Sequence, residues 1–503
     1  MTGPAADPRG RPGNDARRRI VVVGAGIAGL SCATRLSSLF RERGRPLALL
    51  VLDAAARPGG VIATERRDGF LIEAGPDCFI TDKPWGLDLC RRLGIEGEVI
   101  GTNSECRRSF VARGGRLLPI PEGYQLLAPS RLLPFATSSI LSLRGRLRVL
   151  GDLLLPRGPG AADESLAGFV RRRFGSEALE RMAQPLVAGI YDADPERLSL
   201  RATFPRFLEM ERSHRSIILA LLRGRKVRGA RAGVSGARYS LFVTLRSGLQ
   251  TLIDRLASSL PPGGLRLGAR VASVARGAGP QERFVLVTAG GDRVQADAVA
   301  LALPAQAAAP LLREADRGLG DALAAIPYGT AATVNLAYRR ADIPRPIDGF
   351  GFVVPRSERR ALVACTFSSV KFSGRAPDTM VLLRAFFGGA AMEETEEEEP
   401  GRGAATGTVD DDADALETRA RSDLRDILGV RAAPLFARTF VWPQAMAQYE
   451  VGHLDRVASI EERLGRIPGL ALAGNGLRGI GIPDCVRSGD LAAERLAAEV
   501  DAV

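Results

Sequence analysis

Two glycine-rich segments near opposite ends of the chain place the strongest constraint on its fold. Residues 21–30 read VVVGAGIAGL, an apolar run that enters the pattern Gly24-x-Gly26-x-x-Gly29, and residues 472–484 read LAGNGLRGIGIPD. Each segment predicts a strand, a tight turn and a helix, because glycine adopts turn conformations that other residues avoid. A second turn of this kind so close to the C-terminus indicates that both ends of the chain hold one ligand, with other segments inserted between them.

The first segment predicts a dinucleotide site. Its glycines allow a tight turn and let backbone N–H groups approach a pyrophosphate, which the N-terminus of the helix also attracts. Asp53 ends the next apolar strand, about 20 residues further on, where a carboxylate accepts the hydroxyl groups of a ribose. An unphosphorylated ribose favours FAD or NAD over NADP. The alternative is a purely structural turn.

Two further turns favour a flavin. The loop of residues 53–60, DAAARPGG, places a basic residue and paired glycines after the acidic strand end. FAD enzymes of one large group use such a loop on the far side of the pyrophosphate, whereas an ordinary Pro-Gly turn is the alternative. Near the C-terminus, Gly479 and Gly481 permit close backbone approach, and Pro483 suits the first turn of a helix. A flavin ring lying across this turn would need such a thin lining.

The composition predicts a large globular protein with a basic surface. With 503 residues, 46% hydrophobic and 25% charged, the chain is expected to form two or three domains. Its net charge of +12 comes almost wholly from arginine, since the lysines are Lys83, Lys226 and Lys371. Arginine pairs with carboxylates and phosphates, so acidic small molecules, anionic lipid and nucleic acid are all compatible partners. An arginine-rich composition also results from GC-rich coding. Aromatic residues are only 5% and form no stripe among the basic residues, which argues against nucleic acid.

Metal and thiol chemistry are not expected. Six cysteines are scattered without a Cys-x-x-Cys pair, and His214 and His453 are the only histidines, so neither a zinc site nor a Cys/His nucleophile is predicted. Residues 1–19 lack the apolar core of a signal peptide, and no apolar run reaches the length of a membrane span. A cytoplasmic protein is expected, one that can still lie on a membrane surface.

The pattern of elements predicts an α/β architecture, in which an FAD-binding Rossmann-like domain is interleaved with a mixed-sheet substrate domain and a mostly helical domain. The expected segments are a disordered arm at 1–18, the FAD-binding domain in three parts at 19–83, 239–310 and 443–503, the helical domain at 84–238, and the substrate-binding sheet domain at 311–442 with an acidic insert at 393–414.

Several motifs together carry a family resemblance. They include residues 57–60 (RPGG), 73–79 (EAGPDCF), 348–355 (DGFGFVVP) and 472–489 (LAGNGLRGIGIPDCVRSG), together with Lys83-Pro84. From residue 20 to 500 the chain resembles the FAD-dependent protoporphyrinogen oxidases, a branch of the flavoprotein group that includes monoamine oxidases and phytoene desaturases. The N-terminal glycine motif indicates only a flavoprotein, whereas residues 348–355 and 472–489 indicate the porphyrinogen branch more narrowly.

The resemblance implies one non-covalent FAD per chain, lying along the N-terminal domain with its ring facing a cavity. Cys485 is then an unreacted thiol. The residues implied at the cofactor are Gly24, Ala25, Gly26, Ile27, Ala28, Gly29, Asp53, Ala54, Arg57, Gly60 and Val61 for the adenosine and pyrophosphate, Val271 for the adenine, Gly75, Pro76, Asp77 and Cys78 for the flavin, and Asn475, Ile480, Gly481 and Ile482 on the C-terminal side.

The resemblance also implies the reaction and the substrate cavity. Phe350 and Val353 match positions that sandwich the tetrapyrrole, Gly189 and Asp192 fall where the helical domain lines the cavity, and Arg108, with Arg107 as the alternative, matches an arginine that pairs with a propionate. The implied reaction oxidises protoporphyrinogen IX to protoporphyrin IX in haem biosynthesis. Three hydride transfers to FAD remove six hydrogens, and O2 is the terminal acceptor, giving H2O2. With two histidines and no evident acid–base pair, no catalytic residue is assigned.

Other functions stay open from the sequence. Coproporphyrinogen III, with four propionates, is the main alternative substrate on the same fold, because residues 73–79 also resemble that bacterial branch. A carotenoid desaturase, an amine oxidase and a catalytically silent redox sensor are more distant alternatives. Residues 126–155, where arginines alternate with leucines, either lie on an anionic membrane surface, as the resemblance implies, or form an amphipathic helix packed on its own domain. A homodimer is also admitted.

Overall fold

The computed structural model describes residues 17–158, 160, 163–191, 193–231, 241–277, 283–388 and 409–501. Most of the predicted arm and of the acidic insert, together with Asp192, lies outside the described residues. The predicted disordered arm and the predicted acidic insert both end earlier in the chain than expected. Arg18 already pairs with Leu47 in a sheet, and the helix Val409–Leu428 begins inside the predicted insert. An acidic run suits the first turn of a helix, because it faces the positive end of the helix dipole.

A parallel sheet of five strands receives strands from three distant parts of the chain. Its central strand is the apolar run before the first glycine turn, and the strand near the C-terminus lies at one edge. The register is parallel throughout, as in Ile20 opposite Ala298 and Val299 opposite Leu470. The strand order is Leu265–Arg266, Leu47–Leu52, Arg18–Val23, Ala298–Leu301 and Leu470–Leu472.

The helices that follow the two glycine turns pack against each other. These helices are Ile27–Glu42 and Ile482–Asp501. A Cβ atom added to Gly489 would lie 2.2 Å from the carbonyl oxygen of Ala28, so the second helix crosses the first at backbone contact distance. The two ends of the chain therefore form one layer on this sheet.

A larger sheet of seven strands forms a second layer. All its neighbouring strands run antiparallel except Gly351–Val353 and Phe110–Arg113, which are parallel. The strand order is Phe436–Ala447, Tyr328–Arg339, Met380–Gly388, Ala364–Phe367, Gly351–Val353, Phe110–Arg113 and Arg116–Pro119. The last two strands come from the segment 84–238 that is predicted to be mostly helical.

Smaller sheets complete the strands of the described residues. The sequence predicts a single strand over residues 265–274, but the structure divides it at Gly268, which has φ +67°. Its first part joins the parallel sheet and its second part begins an antiparallel sheet. The small sheets are Phe79–Ile80 with Phe242–Leu245 and Val99–Gly101, Val271–Arg276 with Phe284–Thr288 and Arg293–Ala296, Thr64–Arg67 with Phe70–Glu73, and Tyr124–Gln125 with Ala128–Pro129.

The remaining helices lie mostly between residues 132 and 231 and around the nucleotide-type sheet. Phe169, Phe174 and Phe207 are fully buried in the apolar core of the helical region. The other α-helices are Trp85–Arg92, Leu132–Ala136, Leu143–Leu150, Leu166–Phe174, Ser176–Ala178, Gln184–Tyr191, Leu200–Thr203, Pro205–His214, Ile217–Arg231, Gln250–Ser258, Ala305–Leu312, Arg317–Ala324, Ser368–Lys371 and His453–Gly465. Shorter helical turns are Glu96–Glu98, Gly151–Leu153, Leu179–Ala183, Arg340–Asp342 and Arg356–Glu358.

Among the helices of the described residues, none combines the length and the apolar character needed to cross a membrane. The predicted α/β class, with a parallel sheet beside a mixed sheet and a helical region, is confirmed. The boundaries between the predicted domains stay a prediction.

Candidate active site

The first glycine turn combines close packing with an open position. A Cβ atom on Gly24 would lie 2.3 Å from the carbonyl oxygen of Ala302, and one on Gly29 would lie 1.9 Å from the carbonyl oxygen of Gly24. At Gly26 no atom lies within 4 Å of the corresponding position. Gly26 immediately precedes the helix Ile27–Glu42. The outer glycines therefore allow the strand and helix to pack, and the middle glycine leaves room where a helix N-terminus attracts a pyrophosphate.

Asp53 lies beside this turn, as predicted. One carboxylate oxygen accepts a hydrogen bond from the backbone nitrogen of Ala25 at 2.5 Å, and the other accepts one from Ala55 at 2.7 Å. The side chain is half-buried and Ala54 is exposed. A carboxylate has about four acceptor positions, so two bonds to the backbone leave acceptor capacity for the hydroxyl groups of a ribose. The strand Val271–Arg276 begins close by, since the backbone nitrogen of Ala269 donates to the carbonyl oxygen of Asp53 at 2.7 Å.

The loop of residues 57–62 folds over the first turn. The Arg57 guanidinium donates to the carbonyl oxygens of Gly60 and Ile62 at 2.7 and 3.0 Å. A Cβ atom on Gly60 would lie 3.7 Å from the Cα atom of Gly26. Gly60 and Gly26, both predicted to hold the cofactor, therefore lie close together. The Arg57 guanidinium, in contrast, forms its hydrogen bonds within its own loop. Val61 is 38% exposed on the outer side.

The segment Gly75–Cys78 is half-buried between this loop and the seven-stranded sheet. A Cβ atom on Gly75 would lie 1.9 Å from the carbonyl oxygen of Val61. From the sheet side, the Trp442 indole nitrogen donates to the carbonyl oxygen of Ala74 at 3.0 Å, and the Arg384 guanidinium donates to that of Gly75. The segment is thus held between this loop and the seven-stranded sheet, at the position where a flavin ring is expected.

Lys371 is the charged neighbour of this segment. Its ammonium group donates to Asp77 at 3.0 Å and lies 3.3 Å from the sulfur of Cys78. Burial by itself would raise the pKa of Asp77, but the charges of Lys371 and Arg384 outweigh burial and hold that pKa below its usual value. Burial and the Asp77 charge raise the pKa of the Cys78 thiol to about 12. Asp77 and Lys371 therefore remain ionised, and Cys78 remains a thiol.

The C-terminal glycine turn meets the first one. A Cβ atom on Gly474 would lie 3.5 Å from the carbonyl oxygen of Leu303, the residue after the one that Gly24 approaches. The Tyr449 hydroxyl donates to the carbonyl oxygen of Asn475 at 2.6 Å and accepts from the backbone nitrogen of Gly479 at 2.6 Å. Both glycine turns therefore border the same backbone, which confirms that the two ends of the chain come together.

Two more groups fix this turn. The Tyr328 hydroxyl lies 3.3 Å from the side-chain oxygen of Asn475, whose amide group donates to the carbonyl oxygen of Ala445 at 2.9 Å. Asp484 forms an ion pair with Lys83 at 2.6 Å and lies against the turn, since a Cβ atom on Gly481 would be 3.3 Å from its carboxylate. The helix Ile482–Asp501 begins directly after the turn. A second helix N-terminus thus faces the candidate site.

Part of the predicted substrate cavity also comes together. A Cβ atom on Gly189 would lie 3.9 Å from Cγ1 of Val353, and Val353 and Ile480 pack against the same apolar core as Tyr191 and Tyr328. Residues of the helical region, the seven-stranded sheet and the C-terminal turn thus pack against one apolar core, where the substrate cavity is predicted. Asp192 lies outside the described residues.

The remaining predicted substrate residues are Phe350 and Arg108, the predicted partner of a propionate. The Arg108 guanidinium pairs with Asp348 at 3.1 Å and its side chain is 69% exposed. The carbonyl oxygen of Arg108 accepts from the backbone nitrogen of Phe350 at 2.7 Å, and Phe350 is half-buried. Arg108 and Phe350 are therefore neighbours, but in this structure Asp348 holds the guanidinium.

The residues that hold the turns in place were not predicted from the sequence. They are Tyr328, Tyr449 and Trp442 as hydrogen-bond donors, and Lys371 and Arg384 as buried cations. Lysine is rare in this arginine-rich chain, and two of its three lysines, Lys83 and Lys371, lie at the candidate site. The rarity of lysine was therefore the sequence signal that could have pointed to Lys371. In the described part of the chain, no group of His, Cys, Asp and Glu residues could hold a metal ion.

This arrangement matches a known family. The profile of the family described as flavin-containing amine oxidoreductase matches residues 27–497. The chain belongs to this family. It is an FAD-dependent oxidoreductase with the amine oxidase flavoprotein fold, as the resemblance implies.

Relatives within the family cover nearly the whole chain. A coproporphyrinogen III oxidase from Propionibacterium freudenreichii subsp. freudenreichii is 34% identical, over 94% of this chain and 90% of that protein. A coproporphyrinogen III oxidase from Bacillus subtilis (strain 168) is 31% identical, over 95% and 98%. A chloroplastic protoporphyrinogen oxidase from Oryza sativa subsp. japonica is 31% identical, over 96% and 88%.

A solved structure from Exiguobacterium sp. 255-15, provisionally assigned as a protoporphyrinogen oxidase, superimposes with a TM-score of 0.79 at 30% identity. It covers 96% of this chain and 99% of its own. The flavoprotein therefore has relatives named as porphyrinogen oxidases over 94–96% of its length. The glycine turns, Asp53 and the open position at Gly26 all fit an FAD molecule.

Proposed function

We propose that the enzyme oxidises coproporphyrinogen III to coproporphyrin III with FAD as hydride acceptor and O2 as terminal acceptor. The observation that carries this proposal is the full-length identity of 31–34% to three bacterial enzymes named coproporphyrinogen III oxidase. The protoporphyrinogen oxidases from plants match at 26–31%. Coproporphyrinogen III carries four carboxylates, and a chain with a net charge of +12 suits such a substrate.

Protoporphyrinogen IX is the second candidate. It is the substrate that the family resemblance implies, and the rice protoporphyrinogen oxidase is 31% identical, as are two of the bacterial enzymes. Protoporphyrinogen IX carries two propionates, which would need fewer cationic partners than the four propionates of coproporphyrinogen III. Arg108 stays our candidate for pairing with a propionate of either substrate, and it would have to exchange Asp348 for the substrate carboxylate.

The chain's own residues would hold and orient the reactants. Bound FAD supplies a ring that accepts a hydride from a substrate carbon, and three such transfers convert a porphyrinogen to a porphyrin. The turns around Gly26 and Gly479 would hold the cofactor's two halves, and Asp53 would accept its ribose hydroxyls. Val353 and Ile480 would exclude water from the substrate face. The aromatic product supplies driving force, so no acid–base pair is required.

We propose that FAD is bound without a covalent bond, one per chain. Cys485 lies beside the flavin turn, with its sulfur 3.9 Å from the carbonyl oxygen of Ile480. Burial, and then the Asp484 charge, raise the pKa of this thiol to about 12. Since the thiolate is the nucleophile, Cys485 is unreactive at neutral pH.

We also propose that the enzyme lies on the inner face of the cell membrane. Leu133, Leu143, Leu147 and Leu154 are 77%, 64%, 61% and 82% exposed. Arg144 and Arg148 are exposed on the same short stretch, and arginine is attracted to anionic lipid. The other face of the helix Leu143–Leu150 is buried through Val149. In this proposal the exposed face lies on the membrane and the buried face packs on its own domain, so each of the two sequence hypotheses describes one face.

The test compares both porphyrinogens. Under anaerobic conditions, each reduced porphyrinogen is added to the yellow protein, and bleaching of the flavin bands is recorded. Under air, fluorescent product and H2O2 are measured. We expect kcat/KM for coproporphyrinogen III to be at least about tenfold higher, a difference of about 1.4 kcal/mol. The reverse preference would replace the proposed substrate with protoporphyrinogen IX. Absence of bleaching with both would overturn the proposed function.

Non-covalent binding is tested on the same preparation. Denaturation in acid followed by ultrafiltration is expected to release all yellow colour into the filtrate, with one FAD per chain. Colour that stays with the denatured protein would contradict the proposal. In that case the Cys485→Ser variant would show whether this thiol forms the bond.

A further inference from the structure

Five charged side chains form a buried cluster behind the segment Gly75–Cys78. Arg375 and Arg384 are each 3% exposed and Glu73 is 4% exposed. The side chains of Lys371 and Asp77 are 13% and 17% exposed. Three cations therefore face two carboxylates, and the cluster carries a net charge of about +1 when all five groups are ionised.

The electrostatics of the cluster keep its net charge positive. Arginine stays protonated in proteins, and Lys371 and Asp77 hold each other in their charged forms. Burial raises the pKa of Glu73, opposed by its hydrogen bonds from Leu249 and Thr64. Any neutralisation of Glu73 makes the cluster more positive. The net charge is thus at least about +1.

Part of this charge lacks a hydrogen-bond acceptor among the residues that the structure describes. Within that part of the chain, the Nε and Nη1 atoms of Arg384 are buried without a hydrogen-bond partner, while its Nη2 atom donates to the carbonyl oxygen of Gly75. The cavity beside them is lined by Asp77, Asn335, Arg375 and Arg384 and has room for about one water molecule. A buried charge that is only partly neutralised produces a strong local potential, because the surroundings screen it poorly.

The cations of the cluster contact three of the four residues in the segment Gly75–Cys78. Arg384 binds the carbonyl oxygen of Gly75, and Lys371 binds the side chains of Asp77 and Cys78. The potential is therefore applied from directly behind the residues expected to line the flavin. No residue of the cluster is needed to remove a proton from substrate.

We propose that Lys371, Arg375 and Arg384 keep a net positive charge behind residues 75–78 and thereby favour the reduced, anionic form of bound FAD. This inference rests on the proposed FAD site. A hydride that leaves a substrate carbon carries both electrons of the C–H bond and adds one negative charge to the flavin ring. The cationic substrate then releases a proton to solvent. A positive charge near the ring stabilises that added negative charge.

The test varies the charge of the cluster and measures the reduction potential of bound FAD. K371M lowers the net charge by one, D77N raises it by one, and the double variant K371M/D77N restores it. We expect K371M to lower the equilibrium constant for two-electron reduction about tenfold, which is about 30 mV. D77N should raise it by a similar factor, and the double variant should lie within about threefold of the unchanged protein.

Two controls separate charge from packing. K371R keeps the charge and should leave the potential within the same threefold range. R317M removes a cation whose side chain is 90% exposed, where solvent and salt screen it, and should change nothing. The affinity of the oxidised flavin for sulfite, read as bleaching of its visible band, should follow the same order, since the adduct is also anionic.

The outcomes are distinct. Potentials that do not change in opposite directions for K371M and D77N would overturn the inference. If K371M does not retain FAD, D77N decides alone, and an unchanged or lower potential contradicts the proposal. A preparation that binds no FAD, or that oxidises neither porphyrinogen, counts against the proposed function instead.

Discussion

The Tyr449 hydroxyl lies 2.6 Å from the backbone nitrogen of Gly479 and connects the two sides of the C-terminal glycine turn. Its second bond, to the carbonyl oxygen of Asn475, is equally short at 2.6 Å. Gly479 has φ +124°, a backbone conformation that glycine adopts readily and other residues avoid. The two hydrogen bonds of one hydroxyl therefore hold both sides of this turn in place.

Removing that hydroxyl should weaken FAD binding. In Tyr449→Phe, the Gly479 N–H group and the Asn475 carbonyl lose their partner, which costs about 1–3 kcal/mol when such groups are buried. We expect FAD affinity to fall about tenfold, measured by fluorescence titration of the apoprotein. Tyr338→Phe changes another buried tyrosine, in the core of the seven-stranded sheet, and should leave FAD affinity unchanged. Equal losses in both variants would assign the effect to general destabilisation.

His453 should make stability depend on pH. Its Nε2 atom donates to the carbonyl oxygen of Leu477 at 2.8 Å, while Nδ1 is buried and has no hydrogen-bond partner among the described residues. Burial lowers the pKa of His453 below its usual 6.5, so the folded chain holds this ring neutral while the unfolded chain protonates it. The stability that this group contributes is therefore fully present above about pH 7 and is lost as pH falls through 6.5 towards the folded-state pKa.

The measurement is the free energy of unfolding between pH 7.5 and pH 5.5. We expect a decline that approaches, at most, about 1.4 kcal/mol per pH unit for one proton. His453→Gln should flatten that decline. His214→Gln is the matched control, because His214 is the other histidine and is half-exposed, and the decline should persist in it. An unchanged slope in His453→Gln would contradict the assignment.

The first glycine turn predicts two different defects. Gly26→Ala adds a methyl group to open space at an ordinary backbone conformation, φ −72°. Its apoprotein should melt within about 2 °C of the unchanged protein, while FAD affinity falls about tenfold because the methyl group occupies the pyrophosphate position. Gly29→Ala places a methyl group 1.9 Å from a carbonyl oxygen and should lower the stability of the apoprotein by about 1–3 kcal/mol. Equal melting temperatures for the two apoproteins would refute this division of roles.

The parts of the fold that depend on local pattern could be predicted from the sequence. The strand Leu47–Leu52 was predicted with the bounds that the structure shows, because its apolar run ends at Asp53. The glycine turns were predicted for the same reason, since glycine spacing is a local property. The break at Gly268 was missed, because an isolated glycine within a strand pattern is equally typical of a bulge and does not by itself indicate that the strand changes sheets.

The groups that position the candidate site could not be predicted in this way. Lys371 and Asp77 are separated by 294 residues, and Trp442 and Ala74 by 368. No rule of sequence spacing relates positions so far apart in the chain. Their contact depends on how the two sheets pack against each other, which local sequence patterns do not determine. The pairing of Arg108 with Asp348, 240 residues away, is of the same kind.

The helical region should depend strongly on one buried ion pair. Arg173 and Asp152 are both fully buried, and Asp152 also accepts hydrogen bonds from Ser216 at 2.6 Å and from the backbone nitrogen of Ile218 at 3.0 Å. Arg173→Met leaves a buried carboxylate without its cation, which costs about 3–5 kcal/mol. Arg171→Met removes an arginine paired with Glu196 at the surface, where both side chains are nearly half exposed, and should cost about 0–1 kcal/mol. Urea unfolding of both variants measures the difference, and similar costs would contradict it.

The exposed leucines predict binding to anionic vesicles. Leu147 is 61% exposed on the helix Leu143–Leu150, and burying one leucine in an apolar phase contributes about 1.5–3 kcal/mol. Leu147→Glu both removes that contribution and adds a charge that anionic lipid repels, so we expect the partition coefficient in vesicle sedimentation to fall at least about tenfold. Leu435→Glu makes the same change at a 46% exposed leucine before the strand Phe436–Ala447, outside the exposed leucines of residues 133–154, and should bind as the unchanged protein does. Loss of binding in both variants would show attraction governed by net charge alone, and loss in neither would place the membrane contact elsewhere on the surface.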